Sequence, residues 1–88
     1  MIKVLEFKVT GLVQGVGLRY FIHSLALSLK LRGEVWNASD GSVQGVVVGE
    51  KVDLLIKGIE DGPGRVDAVM CNETIGSDYS TFEIGHSR

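Results

Sequence analysis

"LEFKVTGLVQGVGLRYFIHSLALSL", Leu5 to Leu29, changes its periodicity halfway along, and that change decides the fold. Leu5, Phe7 and Val9 alternate with Glu6 and Lys8, the period of a strand with one buried face. From Leu18 onward the apolar residues recur at Leu18, Ile22, Leu25 and Leu29, with Phe21 beside them, which is the stripe of an amphipathic helix lying on a sheet. Between the two lies "TGLVQGVG", residues 10–17, with glycines at 11, 15 and 17 and no acid. The stretch therefore predicts a strand, a bare glycine loop and a helix whose first turn carries Arg19.

The rest of the chain supplies the partners this unit needs. "GEVWN" at 33–37 and "SVQGVVV" at 42–48 read as two short strands joined through "ASDG", in which Asp40-Gly41 is a strong turn signal. Residues 51–60 return to helical spacing through Val52, Leu55, Ile56 and Ile59, and Gly62-Pro63-Gly64 stops that helix. "RVDAVMCNE" at 65–73 and "YSTFEI" at 79–84 add two strand candidates. This order predicts an α+β, ferredoxin-like βαββαβ sandwich, with two helices packed on one face of an antiparallel sheet. A right-handed βαβ unit makes its two strands parallel, so the glycine loop and Asn37, which end the first and second strands, are expected at the same sheet edge.

Composition narrows the function. At 88 residues, folding buries only about 60–65% of the extended surface, and most apolar positions are committed to the core. The net charge of −2 comes without a Lys/Arg cluster, which argues against broad nucleic-acid or anionic-membrane binding. No apolar run reaches the roughly 20 residues of a membrane helix, and the alternating N-terminus is not a signal peptide, so a cytoplasmic protein is expected. The single cysteine, Cys71, excludes an internal disulfide and a cysteine-rich zinc site.

Any bound anion must then be caught locally. Glycines let successive N–H groups from Gln14 to Arg19 converge on an anion at a helix N-terminus, where the dipole adds to the attraction. Arg19 offers a planar guanidinium that can hold two phosphate oxygens. A plain glycine-rich turn bearing a surface arginine fits the same spacing. The loop matches neither the Walker pattern nor G-x-G-x-x-G, so nucleotide binding is not indicated. Asn37 shares a strand face with Val35, which turns it toward the helices and the loop; an asparagine there suits the positioning of a water, and an ordinary polar residue entering a turn fits as well.

"GLVQGVGLR" followed by "GEVWNASDGSVQG" resembles the acylphosphatases, whose signature is a V-Q-G-V-x-F/L-R loop and a G-x-V-x-N-x-x-D-G segment. The likeness continues through "GPGRVD" and "TFEI", so that residues 1–88 are expected to form one acylphosphatase-like domain. The resemblance implies hydrolysis of carboxyl-phosphate anhydrides without metal or cofactor; a monomer acting on a small-molecule acyl phosphate is expected. It puts the phosphate-binding arginine on Arg19, the water-positioning asparagine on Asn37, and the cradle on Gln14, Gly15, Val16, Gly17 and Leu18. Two positions depart from the pattern: Leu18 where phenylalanine is common, and Lys30-Leu31 where the family commonly has Gly-Leu. The alternative is a non-catalytic phosphate-binding module of the same fold. Similar domains also occur at the front of larger carbamoyltransferases; the few residues after the last strand favour an independent protein.

The other candidates are weaker. His23 is expected on the exposed side of the first helix and His86 in the tail, neither with a carboxylate or thiol partner for metal or base chemistry. Cys71 reads as a small, partly buried hydrophobe, and Asp40 as part of the turn. Trp36, Val46 and Val48 are expected on the sheet face away from the helices, a face that lacks the aromatic pair and basic residues of an RNA-binding sheet.

Overall fold

A computed structural model describes residues 3–75 and 79–88. The elements follow the expected order: β1 (Lys3–Leu12), α1 (Leu18–Ser28), β2 (Arg32–Asn37), β3 (Val43–Gly49), α2 (Val52–Ile59), β4 (Arg65–Glu73) and β5 (Phe82–Ile84). Part of the strand expected at 79–84 lies outside the regular pairing, and the segment preceding it, residues 76–78, lies outside the described residues.

The sheet runs β4-β1-β3-β2-β5. All neighbours are antiparallel except β2 and β5, which are parallel. Both helices are crossovers: α1 links the parallel strands β1 and β2 around β3, and α2 links β3 and β4 around β1. Leu5, Phe7 and Val9 are buried as their alternation requires, under Leu18, Ile22 and Ala26 of α1 and Val52, Leu55 and Ile59 of α2. The chain thus forms a ferredoxin-like sandwich with a fifth strand added at the β2 edge.

Three sequence readings change. Gly11 belongs to β1 and not to the loop: the β1–β4 register shifts between Thr10 and Gly11, and a Cβ at Gly11 would overlap the carbonyl of Arg65. Its missing side chain serves strand pairing. His23 is half-buried, its ring 6.3 Å from that of Phe82, because β5 brings an aromatic under the outer flank of α1. Cys71 is exposed, since α2 is only 8 residues long and leaves the outer part of β4 uncovered. Desolvation, and then nearby Asp53, still push its thiol above the ordinary range.

Lys30 has φ 58°, alone among the described non-glycine residues in the left-handed region. It ends α1 in a Schellman arrangement, with Leu31 N–H on the Ala26 carbonyl (2.9 Å) and Lys30 N–H on that of Leu27 (3.1 Å).

Candidate active site

The site is assembled where β1 and β2 end. Gly15 and Gly17 have φ 73° and 85°, conformations that side chains disfavour, and a Cβ at either would meet nothing within 4 Å. The need for glycine there is one of backbone direction, not of space. Gly17 precedes α1 and offers no side-chain cap, and the first turn holds no acid. The first helical bond runs from Phe21 N–H to the Gly17 carbonyl (3.1 Å), so the amides of Leu18, Arg19 and Tyr20 lie ahead of the helical ladder. They are available to an anion. Buried Val13 and Leu18 pin the two ends of the loop into the core.

Opposite the loop stands Asn37. It and Val13, Gly15, Gly17, Leu18, Arg19 and Tyr20 line one cavity of about 160 Å³. That is several times the roughly 30 Å³ share of one water in the liquid, enough for a phosphoryl group and a water beside it. Arg19 is half-buried and makes no hydrogen bond or ion pair among the described residues. The Oδ1 atom of Asn37 is buried, also without a hydrogen-bond partner among them. An unpartnered guanidinium facing the same cavity as an unpartnered buried carbonyl is a combination that folding alone does not favour.

Not every loop residue faces this cavity. Val16 is partly exposed and lies toward Gly64, outside the lining. Gln14 points to the far side of the loop, where its Nε2 donates to the carbonyls of Ala38 (2.7 Å) and Ser42 (2.9 Å). This clasp has no signature in periodicity, because its partners lie 24 and 28 residues away. Asp40 keeps to the turn: Ser42 donates to its Oδ1 through hydroxyl (2.5 Å) and amide (2.9 Å), and Lys8 Nζ is 2.9 Å from its Oδ2. Those contacts hold its carboxyl well below the usual carboxylate range. No group of three or more His, Cys, Asp or Glu side chains converges among the described residues, and none of their helices is long and apolar enough to cross a membrane.

A two-layer α+β sandwich that brings a glycine loop, Arg19 and Asn37 around one cavity at a sheet edge places the chain in the class of ferredoxin-like domains. A family model described as acylphosphatase matches residues 5–84. The chain belongs to the acylphosphatase family. It is 39% identical to an acylphosphatase of Vibrio vulnificus over 83 residues, covering 90% of this chain and 92% of that one. The structure of an acylphosphatase from Coxiella burnetii superposes with a TM-score of 0.90 at 33% identity, over 96% of this chain and 93% of that one. Full-length HypF in its phosphate- and nucleotide-bound form matches at TM-score 0.89 and 29% identity, over 99% of this chain but 12% of that one. Family and fold together make this an acylphosphatase, an enzyme that hydrolyses acyl phosphates.

Proposed function

We propose that the cavity between the glycine loop and Asn37 binds the phosphoryl group of an acyl phosphate and delivers water to it. Arg19 and the backbone amides of residues 14–19 hold the phosphoryl oxygens. Asn37 Oδ1 accepts a hydrogen bond from the attacking water, which turns a lone pair of that water toward phosphorus. An amide is too weak a base to take the proton, so a phosphate oxygen of the substrate receives it.

So few groups suffice because the reaction asks little more of them. Phosphoryl transfer passes through a loose transition state, where positioning and charge stabilisation dominate. The leaving group is a carboxylate, whose conjugate acid has a pKa of about 4, so it departs without a general acid. The products are a carboxylate and inorganic phosphate. In this reading residues 1–88 act as one unit, a cytoplasmic monomer that uses neither metal nor cofactor.

The observation that carries the proposal is the shared cavity, with Arg19 and the buried, unpartnered Oδ1 of Asn37 on its walls. A module that merely bound phosphate would use the loop and Arg19 and would have no use for that amide. The test is phosphate release from acetyl phosphate with a chelator present, for the parent, Arg19→Ala and Asn37→Ala. The expected result is chelator-resistant turnover, with inorganic phosphate binding lost in Arg19→Ala and kept in Asn37→Ala. Absent turnover in the parent favours the binding module, and unchanged turnover in Asn37→Ala removes the water-positioning role.

A further inference from the structure

β2 ends at Asn37, and β5, its neighbour on the outer edge, pairs with it only as far as Val35. Beyond that point the carbonyl of Asn37 and the amide of Ser39, two residues on, are taken up by one residue. Arg88 N–H donates to the Asn37 carbonyl (2.8 Å), and the Arg88 carbonyl accepts from Ser39 N–H (2.6 Å). These bonds continue the ladder begun by Gly85 N–H on the Val35 carbonyl (2.8 Å). The same residue also grips the strand from its other face. Its guanidinium carbon lies 3.8 Å from the ring centroid of Trp36, and its Nη2 is 2.8 Å from Glu34 Oε2. Side chains alternate along a strand, so Trp36 and Glu34 project away from the cavity while Asn37 projects into it.

We propose that Arg88 is a positioning residue for Asn37, an inference that rests on the water-positioning role proposed above. The Oδ1 of Asn37 has no protein partner among the described residues to fix its direction. Its aim is therefore inherited from the backbone of the last residue of β2. A strand end on a sheet edge frays readily when its outer groups are unpaired. Arg88 suppresses that fraying by pairing the Asn37 carbonyl and the Ser39 amide just beyond it, and by anchoring itself to two side chains on the reverse face. Because Arg88 lies outside the lining of the phosphate cavity, its loss leaves the hold on phosphate intact and spoils the placement of the water.

Arg88→Ala, Arg88→Lys and Glu34→Gln, each checked for folding by circular dichroism, test this with acetyl phosphate as substrate and inorganic phosphate as competitive inhibitor. Misplacement of a reacting group by about 1 Å can lower a rate a hundredfold, and the looser edge in Arg88→Ala is expected to lower kcat by about tenfold. The inhibition constant of phosphate stays at the parental value. Arg88→Lys and Glu34→Gln, which each retain part of the anchor, fall between. In the Asn37→Ala background the further change Arg88→Ala has no additional effect on the residual rate, since the residue it positions is gone. An unchanged kcat in Arg88→Ala, a weakened phosphate inhibition constant, or a loss that simply multiplies that of Asn37→Ala overturns the proposal and leaves the function standing. Absent turnover in the parent overturns both.

Discussion

The side-chain amide of Gln14 donates to the carbonyl of Ala38 across 2.7 Å, joining the loop that leads into Arg19 to the turn that begins beside Asn37. With its second bond to Ser42, this single side chain ties the loop to that turn from outside the cavity. Gln14→Ala is expected to lose about 1–3 kcal/mol of unfolding free energy, the value of two hydrogen bonds. Its turnover should drop by about tenfold or more, because two halves of the site then move independently. Gln14→Glu cannot donate and should behave like the alanine variant in both denaturant unfolding and steady-state kinetics.

Asn37→Ala should separate activity from stability. A buried polar atom without a partner is a burden of about 1–3 kcal/mol on the folded state. Removing it should leave the melting temperature unchanged or raised, while turnover falls by about 10²–10³, the usual effect of deleting a preorganised polar group from an active site. A clear drop in melting temperature would mark Asn37 as a structural residue instead.

Lys30→Gly should stabilise the protein. Lys30 occupies the left-handed position of a Schellman cap, where glycine avoids a penalty of about 1 kcal/mol. For a domain of this size, that corresponds to a rise in melting temperature of about 4–8 °C. The residue is remote from the cavity, and kcat should not change.

Asp40 should make stability fall in acid. Ser42 and Lys8 depress its folded-state pKa, so its contribution is present above the unfolded value of about 4 and is lost as pH falls from there toward the folded value. Asp40→Asn lacks this titration. The parent should be more stable than Asp40→Asn near neutral pH, with the gap narrowing steadily as pH falls below about 4 in urea unfolding measured across the acid range.

Where a residue's place depends on its immediate neighbours, the sequence displayed it. Leu5, Phe7 and Val9 advertise the buried face of β1 by alternation alone, and Asn37 could be aimed at the glycine loop because it stands two residues after buried Val35. Topology then brought loop and asparagine together, as right-handed crossover requires. What escaped was set by distant parts of the chain. The clasp of Gln14 and the grip of Arg88 join residues that no period relates. His23 looked exposed until Phe82 of the added edge strand came to lie under it. Gly11 seemed part of the loop because its close approach to Arg65 depends on a bulge in a pairing 54 residues apart.

The interior position of β1 also governs when this protein can fold. β1 emerges from a ribosome before both of its partners, and must pair on both sides with later segments, β3 through Gly49 and β4 through Glu73. Until those segments have emerged, β1 has unsatisfied edges on each flank and no local structure to shelter it. Native structure is therefore expected only once residues through Glu73 have emerged, and refolding in vitro should be slow for a domain of this size, as it is for domains whose contacts join distant parts of the sequence.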